Sequence, residues 1–278
     1  MTSPLPPLDI ASVLRHNRLR PDKRLGQNFL HDPAALEQIV RAADIRPDDS
    51  VLEIGPGLGS LTRYLAVSAR TVTAVELDAG LLPALASVLA PHVNVRVLQG
   101  DILKLSPADL VDGEDFLVVA NVPYYITSAI FRHLLARPPR PRRIVLTVQS
   151  EVAERICAGP GDLSLLALSV QVYGQPVIAA RLPAAAFYPV PKVDSAVLRI
   201  DLYPAPLIPA DRLERFFRFA KAGFSQKRKT LRNSLSAGLA ISTQTAAQLL
   251  EKAGINPQRR AETLSIEEWG RLCAQELY

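Results

Sequence analysis

The sequence predicts an α/β chain, a mostly parallel sheet flanked by helices, followed by a small helical domain. Three observations carry this. Between residues 51 and 148 short apolar runs alternate with amphipathic stretches, as parallel strands joined by helices require. The prolines at 204, 206 and 209 then interrupt the pattern. Beyond them the apolar period becomes helical, with Leu213, Phe216, Phe217 and Ala220 spaced by three and four.

Taken in order, the strands are "VLEI" (51–54), "TVTAVEL" (71–77), "VRVLQ" (95–99), "FLVVA" (116–120) and "RIVLTVQ" (143–149). The intervening "DAGLLPALASVLA", "SAIFRHLLA" and "SEVAERICA" read as helices, and the third strand is followed by a polar stretch. "LSVQVYG" (168–174) and "SAVLRIDLY" (195–203) are expected to extend the same sheet. "YPAPLIPAD" reads as a linker. In the last part, "QTAAQLLEKAG" closes on a glycine suited to a helix C-terminus, and Ser265 precedes Glu268 by three, the spacing of a capping box. The expected organisation is a basic N-terminal arm (1–24), a catalytic domain (25–203) and a helical RNA-binding domain (204–278).

Composition narrows the function. Only Cys157 and Cys273 occur, outside any CxxC pair, and the four histidines are scattered, so neither a disulfide framework nor a metal site is expected. No apolar stretch has the length of a membrane span and the opening lacks the pattern of a secretory signal, which makes a cytoplasmic protein the expectation. The net charge is +5, with a pI near 9.4. Five Lys or Arg lie between Arg15 and Arg24, and eight between Asp211 and Arg232, including Lys227, Arg228, Lys229 and Arg232. Two basic blocks around a neutral middle suit a phosphate backbone, although a solvated helix face has the same look.

Ligands of parallel sheets bind beyond the carboxyl ends of the strands. The first strand ends in "EIGPGLGS", where Gly55 and Gly57 let the backbone approach a ligand, although Ser60 stands where the dinucleotide fingerprint has its last glycine. The second ends at Glu76, 21 residues beyond Gly55, placed to accept from ribose hydroxyls. The third ends at Asp101, an acceptor suited to an adenine amino group. The fourth ends in "NVPY". Pro123 keeps the chain from continuing as a helix, which leaves the Asn121 oxygen and a neighbouring carbonyl to accept from an exocyclic amine, with Tyr124 as a flat face for the base. Each feature alone also fits an ordinary turn.

The combination resembles the class I S-adenosylmethionine-dependent methyltransferases, of Rossmann-like fold. "KRLGQNFLHD" (23–32), "EIGPGLGSLT" (53–62), "VELD" (75–78), "GDIL" (100–103), "NVPYYI" (121–126), "FYPVPKVDSAV" (187–197) and "FSQKRKTLRNSL" (224–235) appear in order and resemble the bacterial small-subunit ribosomal RNA adenine dimethyltransferases. The resemblance implies S-adenosylmethionine as cofactor, bordered at its methionine end by Gln27, Asn28 and Leu30, lined by Gly55, held by Glu76 and Asp101, with Asn121 between cofactor and target. It further implies N6,N6-dimethylation of two adjacent adenosines in the 3'-terminal hairpin loop of 16S ribosomal RNA, within an immature 30S particle. Phe187 is the candidate for a second aromatic face opposite Tyr124. The chain departs from the family pattern where Val122 replaces Leu, Tyr125 a common Asn and Lys227 a usual Arg. A monomer is expected, there being no spare apolar stripe. Three other readings compete: a large-subunit RNA adenine methyltransferase, an RNA-binding assembly factor, and a nicotinamide oxidoreductase, which leaves Asp101 and "NVPY" unexplained.

Overall fold

The computed structural model describes residues 5–111, 113, 115–136 and 138–275. These fall into two compact units, one formed by residues up to Ala153 with Pro176–Leu202, the other by Glu154–Gln175 with residues from Tyr203 onward.

The first unit holds β1 (Phe29–Leu30), β2 (Ser50–Ile54), β3 (Thr71–Glu76), β4 (Val95–Gln99), β5 (Phe116–Asn121), β6 (Arg143–Gln149), most of β7 (Gly174–Leu182), β8 (Phe187–Tyr188) and β9 (Ser195–Leu202). Seven of them form one sheet in the order β4-β3-β2-β5-β6-β9-β7, and β1 and β8 form a separate antiparallel pair. Strands β2 to β6 run parallel, and β9 joins β6 antiparallel, from Arg143 opposite Asp201 to Gln149 opposite Ser195. From β2 the chain moves outward through β3 to β4, then returns to place β5 on the other side of β2. The crevice at such a reversal is where open parallel sheets bind ligands.

Side chains alternate between sheet faces. On one face Val51, Val72, Leu117, Val119, Val145 and Val197 pack with Leu36 and Ile39 of α2 (Pro33–Ala43) and Leu61 and Leu65 of α3 (Ser60–Ala66). The alternate residues Leu52, Val118, Ala120, Ile144, Leu146 and Leu198 are also fully buried, so both faces are covered. Helix α2 starts where Asp32 accepts hydrogen bonds from the Ala34 and Ala35 amides ahead of Pro33. A second cluster joins Ile10 and Leu14 of α1 (Ile10–His16) to Phe29, Leu58, Leu81 and to Ala84 of α4 (Leu82–Leu89). Helix α5 (Thr127–Ala136) follows the "NVPY" turn.

Helix α6 (Ser150–Cys157) ends in the second unit, which continues with α7 (Leu165–Gln171), α8 (Leu213–Gly223), α9 (Leu231–Leu239), α10 (Thr243–Lys252) and α11 (Ile266–Cys273). Fully buried Trp269 stacks on Phe224 at 5.8 Å. The capping box of Ser265 and Glu268 forms as the spacing predicts.

Two expectations are corrected. "LSVQVYG" is not a strand: Ser164 accepts from the Ala167 amide and starts α7, and the strand comes later, as β7. Pro176 argues against a strand there, but β7 ends the sheet order, and an edge tolerates a residue without an N–H. Residues 154–175, expected with the catalytic domain, cluster with the helical unit. There the Gly161 and Leu163 amides donate to the Glu262 carbonyl and the Tyr203 amide to that of Tyr173. The "YPAPLIPAD" stretch is likewise held, by the Leu207 amide on the Val172 carbonyl and by buried Ile208.

Candidate active site

One cleft collects the carboxyl ends of β2, β3 and β5 and the start of the loop after β4. After β2 the chain enters left-handed backbone at Gly55 (φ +70°) and Gly57 (φ +60°). A β-carbon at Gly55 would have no atom within 4 Å, so this loop borders open space. A β-carbon at Gly57 would lie 3.0 Å from the Phe29 ring. The Gly57 amide donates to Glu76 Oε2 at 2.9 Å and the Asp78 amide to Glu76 Oε1 at 2.8 Å. Glu76 is buried, and burial pushes its carboxyl up in pKa against those two donors. Each of its oxygens keeps a further lone pair for a ligand. Asp101 lines the same cleft, its Oδ1 accepting from the Leu103 amide at 3.1 Å and its Oδ2 lying 3.7 Å from Lys104 Nζ.

Asn121 ends β5 opposite Thr147. Its Nδ2 donates to the Asn28 carbonyl at 3.1 Å, which fixes the amide so that Oδ1 is the acceptor left over. Among the described residues neither that Oδ1 nor the Val122 carbonyl has a hydrogen-bond partner. Pro123 keeps the chain extended (φ −57°, ψ 132°) before the turn at Tyr124–Ile126. Tyr124 is half-buried, its hydroxyl 2.7 Å from Ser195 Oγ and its carbonyl accepting from Thr127 Oγ1. Tyr125 beside it is exposed.

The segment before β1 closes the cleft. Gln27 Nε2 donates to Asp78 Oδ2 at 2.7 Å and its Oε1 accepts from the Asp22 amide at 2.8 Å. Gln27 therefore borders the cleft with both ends of its amide engaged, and acts as a strut. Asn28 Nδ2 donates to the Gly26 carbonyl, while its own carbonyl holds Asn121. Leu30 lines the cleft as a buried core side chain.

Phe187 is corrected. It is 1 % exposed, paired through β8 with Leu30 of β1 and packed in the core with Ala186 and Val197, so its ring presents no open face opposite Tyr124. The apolar core beneath the β1–β8 pair claims it.

Glu53 was not singled out from the sequence, yet it lines the cleft from within β2 at 1 % exposure. Burial pushes its carboxyl up to about 8, the nearby Glu76 charge adds to this, and Thr62 opposes it. Neither Glu53 Oε2 nor Thr62 Oγ1 completes a hydrogen bond. The available signal was an acid inside an otherwise apolar strand. An orphaned buried oxygen beside the open space at Gly55 marks a cleft shaped for a polar ligand.

In the helical unit, Lys227, Arg228 and Lys229 are exposed on the turn between α8 and α9, and Arg232 is half-buried with Nε 3.3 Å from Asn233 Oδ1. No ion pair involves these four among the described residues. The described residues contain no cluster of metal-ligating side chains and no helix long and apolar enough to cross a membrane.

A family profile described as "Ribosomal RNA adenine dimethylase" matches residues 18–275. The chain is 47 % identical over 257 residues to a ribosomal RNA small subunit methyltransferase A of Dehalococcoides mccartyi, covering 92 % of this chain and 88 % of the relative. Its counterpart in Alkaliphilus metalliredigens is 41 % identical over 273 residues, covering 96 % and 95 %. Among solved structures, the 23S rRNA methyltransferase ErmE superposes with TM-score 0.71 at 32 % identity, covering 88 % of this chain and 98 % of that one. A dimethyladenosine transferase from Plasmodium falciparum superposes with TM-score 0.74 at 25 % identity, covering 88 % and 95 %.

Proposed function

The chain belongs to the ribosomal RNA adenine dimethylase family, and from that premise we propose that it dimethylates N6 of two adjacent adenosines in the 3'-terminal hairpin loop of 16S ribosomal RNA, on the maturing 30S particle in the cytoplasm. It is a ribosomal RNA methyltransferase of Rossmann-like fold, and S-adenosylmethionine is its methyl donor. When bound, the donor supplies an electrophilic methyl group on a sulfonium sulfur. The open space at Gly55, the lone pairs of Glu76 and the acceptor Asp101 fit it. In this reading Gly55 and Gly57 leave room for its methionine end, Glu76 takes the ribose hydroxyls and Asp101 the adenine amine.

The observation that carries the reading is the fixed amide of Asn121. With Nδ2 committed to the Asn28 carbonyl, Oδ1 and the Val122 carbonyl are left as acceptors on two residues that line the cleft. A target adenine N6 offers two N–H donors to match. Holding both favours a pyramidal nitrogen whose lone pair leaves the ring system, so orientation and preorganised dipoles supply most of the catalysis. Tyr124, pinned through its hydroxyl to Ser195, offers a ring to the flipped base. The methylated amine is acidic enough to release its proton to water, and no side chain is needed as base. After one transfer a single N–H remains, so one acceptor holds the amine for the second. Lys227, Arg228, Lys229 and Arg232 supply phosphate contacts, and the protein acts as a monomer.

The test is transfer of labelled methyl from S-adenosylmethionine to small-subunit particles that lack the modification, with the product nucleoside identified and Asn121→Ala run in parallel. Dimethyladenosine from the wild type, and transfer lowered about 100- to 1000-fold in the variant, is the expected result. Transfer to large-subunit RNA alone would replace this reading with a second one, which the likeness to ErmE favours; the higher identity to small-subunit enzymes weighs the other way.

A further inference from the structure

Tyr124 and Tyr125 are neighbours in opposite conditions. Tyr124 is half-buried and tied through its hydroxyl. Tyr125 lines the same cleft yet is 63 % exposed, and its hydroxyl has no partner among the described residues. Nevertheless the ring is seated. Gly26 adopts left-handed backbone (φ +64°), and a β-carbon there would lie 3.4 Å from Tyr125 Cδ1 and Cε1 and 3.1 Å from Pro123 Cβ. One side of the ring thus rests on bare backbone while the rest is open to water. Lys23, exposed three residues before Gly26, carries a positive charge with no ion pair among the described residues.

We propose that Tyr125 is a stacking platform for the unpaired RNA nucleobase next to the one presented to Asn121. The inference rests on the reading of the chain as an RNA adenine methyltransferase. Extruding a base from its stack exposes the face of its neighbour. A seated aromatic recovers that face without regard to sequence, as aromatic side chains do in single-strand binding sites. The Cα atoms of Tyr124 and Tyr125 are about 3.8 Å apart by peptide geometry. Both rings line the same cleft, so two consecutive bases entering it can each meet one. A substrate with two adjacent target adenosines would place the second on Tyr125 while the first reacts.

The test compares Tyr125→Ala, Tyr125→Phe and Tyr125→Trp. Steady-state methyl transfer to small-subunit particles gives KM and kcat, calorimetry gives affinity for S-adenosylhomocysteine, and fluorescence of an RNA hairpin with 2-aminopurine beside the target adenosine reports stacking without catalysis. Tyr125→Ala should raise the KM for RNA roughly 5- to 150-fold, the range of base–aromatic stacking, with kcat and S-adenosylhomocysteine affinity little changed. Phe and Trp should retain the wild-type KM, and all but the Ala variant should quench the 2-aminopurine. The proposal is overturned by an unchanged KM in Tyr125→Ala, by equal loss in Tyr125→Phe, which would assign the effect to the hydroxyl, or by a parallel loss of S-adenosylhomocysteine affinity. Absence of methyl transfer by the wild type would remove the proposed reaction, and the quenching comparison would still decide the role of Tyr125.

Discussion

Glu53 places a carboxyl where water cannot reach it, with one oxygen lacking any partner. Its folded-state pKa of about 8 lies above the ordinary 4.5, so between those values the folded protein holds a proton that the unfolded chain has released. The contribution is whole below about pH 4.5 and is lost as pH rises toward 8, at about 1.4 kcal/mol for each pH unit. Glu76, also raised, acts in the same direction. The lowered carboxyls of Asp22, Asp201, Glu267 and Glu268 act the other way, with losses confined to acid pH. Urea unfolding of the ligand-free protein should therefore show declining stability from pH 5 to pH 8. Glu53→Gln should keep the shape and flatten most of that slope, and an undiminished slope would show that another group holds the proton. For Asn121→Ala, single-turnover methyl transfer should fall about 100- to 1000-fold, as for other preorganised polar groups facing a reacting centre. That Glu76, Asp101 and Asn121 would line one cleft was legible because strand ends can be counted from apolar runs. Glu53 and Phe187 were not, since what surrounds a side chain inside a strand or beneath a hairpin depends on chain that folds over it from far away.

Among the elements, α8 and α9 approach closely where glycine leaves out a side chain, most tightly against backbone at Gly238. A β-carbon at Gly238 would lie 2.6 Å from both Cα and Cβ of Ala222. Alanine is the better helix former by about 1 kcal/mol, but the clash is with backbone, which cannot rotate away, and overpacking of that kind costs about 1–3 kcal/mol. The clash should win, so Gly238→Ala is expected to lower the denaturant midpoint, where propensity alone predicts a rise. Ser265→Ala removes the acceptor for the Glu268 amide and should cost about 1 kcal/mol in the same measurement. Capping spacing made α11 readable in advance. The run that became α7 was ambiguous, because a short apolar stretch suits a buried helix as well as a strand, and Ser164 as its cap decided the outcome.

At the scale of the whole molecule, charge is concentrated where it can be tested by salt. Replacing Lys227, Arg228 and Lys229 together by alanine should weaken RNA binding uniformly across sequences. It should also flatten the dependence of log affinity on log salt by roughly 0.7–0.9 for each phosphate no longer neutralised. An unaltered slope would move the electrostatic footprint elsewhere. The two-part organisation was visible in the change of period after residue 203, whereas the transfer of 154–175 to the helical unit was not, because that membership rests on hydrogen bonds to residues far along the chain, such as that from Gly161 to Glu262. The cleft also bears on how the protein comes into being. The strap that orients Asn121 lies 93 residues before it, and Phe29 pairs with Tyr188. During synthesis the segment around Asn28 leaves the ribosome first and can meet Asp78 early, but its partners in β5 and β8 follow only later. Contacts so distant along the chain form late. A nascent or truncated chain can thus complete much of its parallel sheet while the Asn121 amide is still free to turn, and that amide is fixed only once the segment around β1 has docked.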